Sequence, residues 1–296
     1  MQDRFTLTES SPMGRVVVHR DYASILSASG LTRFSDWMGL NRISYREVSM
    51  RPLRPVVALD LPGMPRTIFL KRHLESPRAE TFFEKMHLTS PLSEAAKEVQ
   101  KLEWFGQAGL AVPEVIVWGE GTWEGIGKAS FLGTLDLEAL PLERFLFHHW
   151  KPPVPGREVP SKWGIIEQLA GLTRRMHQEG IVHRDFYLGH VFISEHPSRQ
   201  EFELSVIDVQ RASRRPSWWL RSQIKDLASL HFSADPAFIR PVDRLRFLKA
   251  YWRVERLGTW HRFLIGLIQR KALKIRRHTE KAMGIPYSEF FKNKYY

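Results

Sequence analysis

Between residues 43 and 72 three short runs rich in β-branched and aromatic residues, 43–48, 56–61 and 67–72, read as strands, whose side-chain period is two. Pro62, Gly63, Met64 and Pro65 separate the second and third runs, which predicts a hairpin. The period then changes. Ser90 followed by Pro91 predicts a helix start, Leu92, Ala96, Val99 and Leu102 fall on one helical face, and Gly109 predicts its stop. Two more strands are expected at 115–118 and 128–134. A proline-rich loop at 151–156 follows a short helix. Ser161 is expected to cap the next helix, whose apolar face is Ile165, Leu169, Leu172 and Met176 and which Gly180 ends. Strands at 191–193 and 204–207, joined by a polar turn, are followed by helices. Asp243 is expected to open a long helix with Leu245, Leu248, Trp252 and Leu257 inward. Gly258 and Thr259 interrupt it, and a basic helix runs on to about Lys274. This order, β-β-β-α-β-β and then mostly helix, predicts an α+β fold with a small β-rich N-terminal lobe and a larger α-helical C-terminal lobe.

Composition narrows the chemistry. The chain has 296 residues, room for one two-lobed domain or two modest ones, with 43% hydrophobic and 26% charged residues. It has no cysteine, which excludes disulfides, thiolate metal sites and a cysteine nucleophile. Residues Met1 to Ser11 are polar and carry Asp3 and Glu9, so they do not read as a signal peptide. No run of about 18 apolar residues occurs. Both features point to the cytoplasm or to its membrane face. The net charge of +12 is uneven: Pro241 to Tyr296 hold 14 Lys+Arg against 4 Asp+Glu. Such a block favours an anionic partner.

The chemistry-bearing segment begins at His183-Arg184-Asp185, directly after the 161–180 helix. Four residues separate Asp185 from His190, and strand, turn and strand lead on to Asp208. This resembles the catalytic loop and metal-binding segment of the protein-kinase-like fold. Phosphoryl transfer is mostly positioning and charge neutralisation. One carboxylate accepts the proton of the attacking hydroxyl, and a second holds a cation against the nucleotide phosphates. Asp185 fits the first role and Asp208 the second. In that fold a strand lysine pairs with phosphates and with a helix glutamate. Lys71 sits at the end of its strand, and either Glu98 or Glu94 is its partner. Glu98 lies deeper in the helix and is preferred. There are departures. His190 stands where most kinases have Asn, Val209 and Gln210 follow Asp208 in place of Phe-Gly, and no glycine-rich loop is present. Met50 to Pro55 (MRPLRP) occupies its place, with Arg51 and Arg54 either facing phosphates or forming an exposed basic turn.

These departures resemble one family, the lipopolysaccharide kinases of the Kdo/heptose group. The resemblance rests on His183 to Phe192 (HRDFYLGHVF), Phe69 to His73 (FLKRH), Lys97 to Leu102 (KEVQKL), Gly109 to Pro113 (GLAVP), Ile207 to Arg211 (IDVQR) and Lys225 to Leu230 (KDLASL). It runs from about residue 30 to 275. It implies an N-lobe at 30–140, a C-lobe at 141–275 and a basic, aromatic tail at 276–296. It also implies an ATP-dependent kinase at the cytoplasmic face of the inner membrane, phosphorylating a heptose or Kdo hydroxyl of the lipopolysaccharide inner core. Asp185 would be the base, His190 and Asp208 the Mg²⁺ ligands, Lys71 with Glu98 the nucleotide pair, and Asp226 a brace for the catalytic loop. Arg270, Lys271, Lys274, Arg276 and Arg277, with Trp218, Trp219 and Trp260, would make peripheral contact with anionic glycolipid or another anionic membrane surface. No nucleic-acid partner is expected. The rival readings are a small-molecule or protein kinase of the same fold, and a non-catalytic kinase-shaped binding protein.

Overall fold

The three runs between residues 43 and 72 lie in one antiparallel sheet. The structure, a computed structural model, describes residues 4–11, 13–41, 43–74, 92–123, 125–150, 162–195 and 202–290. It divides into two units, residues 1–103 with 113–136, and residues 104–112 with 137–296.

The first unit contains β1 (Phe5–Ser11), β2 (Gly14–His19), α1 (Ala23–Ala28), α2 (Phe34–Gly39), β3 (Tyr45–Arg51), β4 (Arg54–Leu59), β5 (Ile68–Leu74), α3 (Glu94–Gln107), β6 (Val115–Trp123) and β7 (Gly127–Leu135). The last turn of α3 belongs to the second unit. The strand order is β1-β2-β6-β7-β5-β4-β3. The expected hairpin of β4 and β5 forms, with Leu59 opposite Ile68. Met50 to Pro55 make a second hairpin, Arg51 opposite Arg54, and both arginines are exposed. The hairpin of β1 and β2 was not expected from the sequence, because β1 keeps most of its side chains in solvent and shows little alternation. Its inner strand supplies Val16 and Val18 to a core shared with Trp37, Leu59, Ile68 and Leu70, where Trp37 stacks on Phe131 at 5.4 Å. Gly14 is required there, since a Cβ would come within 2.5 Å of Phe34. Full burial of each such side chain is worth about 1.5–3 kcal/mol.

The α3 helix begins later than expected. Ser93 caps it, its hydroxyl accepting the Ala96 N–H at 3.2 Å. Ser90 and Pro91 lie outside the described residues, as do Ser161 and the loop at 151–156. Ala96, Val99 and Leu102 are buried as expected, whereas Leu92 is exposed. Gly109 follows in the left-handed region, φ 67°.

The second unit continues with β8 (Leu140–Pro141), α4 (Leu142–Trp150), α5 (Lys162–Gln178), β9 (Ile181–Val182), β10 (Val191–Glu195), β11 (Phe202–Val206), β12 (Ser213–Arg214), α6 (Trp219–Ser233), α7 (Pro241–Trp252), α8 (Thr259–Met283) and α9 (Tyr287–Phe290). Small sheets β11-β10-β8 and β12-β9 flank residues 183–190 in sequence. Ala170, Leu227, Phe232, Tyr251 and Ile268 share the helical core. Three expectations are corrected. Asp243 does not open its helix. Pro241 does, and Asp243 sits a turn in, buried, accepting the Arg240 N–H at 2.9 Å and facing Lys162 at 2.6 Å. Leu245 is exposed, and Leu257 is outside the helix because Arg253 turns left-handed, φ 54°, and ends it. The basic helix also runs nine residues past Lys274, to Met283, where Gly284 stops it.

Candidate active site

In the first unit the period of two decides which residues meet. Ile68 and Leu70 point into the core, so Phe69, Lys71 and His73 occupy the other face of β5. On α3, Ala95, Glu98, Val99 and Leu102 follow the i, i+3, i+4, i+7 rule and form one buried stripe. An acid within an apolar stripe needs a partner, since an uncompensated buried carboxylate is costly. Lys71 Nζ lies 2.9 Å from Glu98 Oε1, and His73 Nε2 lies 3.6 Å from Oε2. Glu94, the other candidate, pairs with Lys97 on the helix surface.

In the second unit one buried carboxylate organises the loop. Asp226 is wholly inaccessible. It accepts the backbone N–H of His183 at 2.8 Å and of Arg184 at 2.7 Å, and His177 Nε2 stands 3.4 Å away. The carboxylate accepts, so His177 carries its proton on Nε2. Its Nδ1 then accepts from the Tyr251 hydroxyl at 2.7 Å. Burial pushes the Tyr251 pKa up, which keeps that hydroxyl a donor.

His183 has a fixed tautomer for the same reason. The Ile207 carbonyl can only accept, so the Nε2–H donates to it at 2.9 Å and Nδ1 accepts the Asp185 N–H at 3.3 Å. Burial pushes His183 below the usual histidine range and holds it neutral. Arg184 has φ 69°, a conformation that costs free energy for a long side chain and clusters at functional sites. Phe186 and Leu188 then turn inward and are buried, which leaves Asp185 and His190 partly in solvent.

Asp185 faces two cations. Arg211 Nη1 is 3.2 Å from both carboxylate oxygens, and Lys225 Nζ is 3.8 Å from Oδ1 and donates to the Arg184 carbonyl. Burial, with Arg211 nearby, lowers the Lys225 pKa. His190 Nδ1 donates to the Asp185 carbonyl at 2.8 Å. Its Nε2 faces Asp208 Oδ2 at 3.8 Å. Asp208 itself is left-handed, φ 55° and ψ 50°.

The structure thus brings Lys71 to Glu98 in one unit, and Asp185, His190, Asp208 and Asp226 into one bonded group in the other. Sequence reasoning gave no role to Arg211, Lys225, His177 or Tyr251. Lys225 was visible only as the residue before Asp226, and Arg211 only as the third residue after Asp208.

Comparison with known proteins gives consistent findings. The sequence model of the lipopolysaccharide kinase (Kdo/WaaP) family matches residues 70–251. The lipopolysaccharide core heptose(I) kinase WaaP of Pseudomonas aeruginosa is 35% identical over 162 residues, which are 54% of this chain and 59% of that protein. The protein of the same description from Escherichia coli K12 is 28% identical over 258 residues, 85% of this chain and 94% of that one. A solved structure described as WaaP in complex with acyl carrier protein is similar with a TM-score of 0.62 and 26% identity, covering 88% of this chain and 98% of that one.

Proposed function

The chain belongs to the lipopolysaccharide kinase (Kdo/WaaP) family, and from that premise we propose that it transfers the γ-phosphoryl group of ATP to a heptose hydroxyl of the lipopolysaccharide inner core. The observation that carries this reading is the single buried Asp226 gripping two consecutive amides of the His183-Arg184-Asp185 loop. Nothing about a surface turn requires such a grip. A base whose position sets the rate does.

Asp185 accepts the proton of the attacking sugar hydroxyl. Arg211 and Lys225 orient its carboxylate, and they offset charge as the phosphoryl group arrives. Lys71 binds the nucleotide phosphates as a point charge, and Glu98 fixes its stem. Among the described residues no three His, Cys, Asp or Glu side chains gather as a metal cage. Mg²⁺ is commonly held by one or two protein groups together with phosphates and water, so the facing pair of His190 and Asp208 fits it. When bound there, Mg²⁺ would neutralise phosphate charge.

Peripheral contact with anionic membrane lipid at the cytoplasmic face is assigned to α8. No helix among the described residues is long and apolar enough to cross a membrane. Trp260 and Phe263 stack at 5.3 Å with more than half of each side chain in solvent, and Arg270, Lys274 and Arg277 are exposed farther along the helix. These features support the reading.

The test is incubation with labelled ATP and a panel of inner-core fragments, followed by mapping of the labelled product. Label on a heptose, lost with Asp185→Ala, is the expected result. Absence of label on every core acceptor, with a folded and ATP-binding protein, would overturn the reading.

A further inference from the structure

The helical unit contains a second cavity-borne cluster, of about 660 Å³, that the transfer reaction does not use. Arg174 on α5, Arg215 just after β12 and Arg253 at the end of α7 line it, and no acidic side chain is found among its described lining residues. Arg174 is partly buried, Arg215 and Arg253 are exposed, and three guanidinium groups lining one groove with no acidic lining residue give it a positive field that favours an anion. The Nε and Nη1 atoms of Arg174 are buried and have no hydrogen-bond partner among the described residues. Arg215 and Arg253 both have left-handed backbones, φ 46° and 54°, which side chains of this length seldom adopt. Arg215 is further fixed by its N–H, which donates to the Gly180 carbonyl at 2.7 Å, and by its stem, which lies where a Cβ on Gly180 would be. Gly180 therefore does more than end α5: it leaves room for an arginine.

The same cavity is lined by His177 and Tyr251, the two residues that lead to Asp226 and so to the amides of His183 and Arg184. We propose that the cavity binds the phosphate group of a small molecule, and that its occupancy is passed to the catalytic loop through Tyr251, His177 and Asp226. The binding half stands without any assumption about catalysis. The coupling half rests on the reading of Asp185 as the base, whose own failure would be seen separately in the Asp185→Ala assay.

The experiment is calorimetry on the full chain with inorganic pyrophosphate and, in a second arm, glucose 6-phosphate. A saturating non-hydrolysable ATP analogue keeps the nucleotide site filled. One saturable site is expected. Affinity should fall about tenfold or more in the double variant Arg215→Asn/Arg253→Asn, since each lost charge-assisted bond accounts for roughly a factor of ten. Asparagine is used because it tolerates the left-handed backbone. Arg253→Lys, which keeps the charge, should bind better than Arg253→Asn. Tighter binding of glucose 6-phosphate would mark the ligand as a sugar-borne phosphate, and tighter binding of pyrophosphate would mark it as a free one. No binding in either arm, or equal binding by a folded double variant, overturns the site. For the coupling, the ligand should slow hydrogen exchange of the His183 and Arg184 amides, and Tyr251→Phe should remove that effect while leaving binding in place. Unchanged exchange in the unmodified chain overturns the coupling.

Discussion

The two units hold their charged groups by different means. In the first, Lys71 meets Glu98 side chain to side chain, and the lysine end is still about a quarter exposed. In the second, Asp226 never touches the side chain of Asp185. It bonds two backbone amides, and the carboxylate of Asp185 is placed as a consequence. A direct pair can be lost with little harm to the fold, because the freed lysine can turn to water. A buried carboxylate that satisfies two amides and an imidazole cannot be removed so cheaply. Function and stability should therefore separate in the first unit and coincide in the second.

Five outcomes would sharpen or break that contrast. Asp185→Ala should lower phosphoryl transfer by about 10³-fold or more while ATP binding, followed by calorimetry, stays near normal. Asp226→Ala should cost about 3–5 kcal/mol in denaturant unfolding and abolish transfer with it, because the amides of His183 and Arg184 and the ring of His177 are left unpaired. A stable, inactive Asp226→Ala protein would refute the contrast. Glu98→Gln is the counterpart. It should lower transfer about 10- to 100-fold, mostly through nucleotide KM, and shift the unfolding midpoint only slightly.

The fourth outcome concerns pH. Burial, with Arg244 beside it, pushes His231 on α6 down to about 4. The folded form stays neutral where the unfolded chain takes up a proton below its usual value of about 6.5. Stability should thus be full above pH 6.5 and decline as pH falls toward 4, by roughly 1–2 kcal/mol once the partial exposure of His231 is allowed for. His231→Gln should flatten thermal-melt profiles over that window. An unchanged profile would place the acid sensitivity elsewhere. The smallest effect is on metal preference. Imidazole is a softer ligand than an amide oxygen, so His190→Asn should shift the ratio of Mg²⁺- to Mn²⁺-supported turnover toward Mg²⁺ by about threefold. No shift would mean that His190 does not meet the cation.

How much of this was legible differs between the units in the same way. Lys71 and Glu98 were partly legible: Lys71 stands out at the end of its strand, and Glu98 is preferred to Glu94 for its depth in the helix, whereas the buried stripe that holds Glu98 against Lys71 is seen only in the structure. The α+β order and the hairpin of β4 and β5 followed from the strand and helix patterns. The second unit was legible as motifs but not as bonds. Asp226 as a brace came from family resemblance, and the path through His177 to Tyr251 joins residues 74 positions apart with no periodic signal between them. Arg211 and Lys225 read as ordinary surface cations until folding set them against Asp185. The misplaced start at Asp243 has a plain cause. An acid one turn inside a helix can accept the same amide as one at its edge. The left-handed Arg253 that ends that helix carries no glycine or asparagine to announce it.

The β1–β2 hairpin has a practical consequence. β2 pairs with β6 along Val18 opposite Val117 to Gly14 opposite Gly121. A fragment begun at residue 30, where family resemblance starts, would strip that partner away and leave β6 as a bare edge, with Ile116 and Val117 no longer protected. Unpaired amides beside apolar side chains are a template for adding a strand from another molecule. Such a fragment should be recovered as aggregate even though every residue given a role in phosphoryl transfer would still be present.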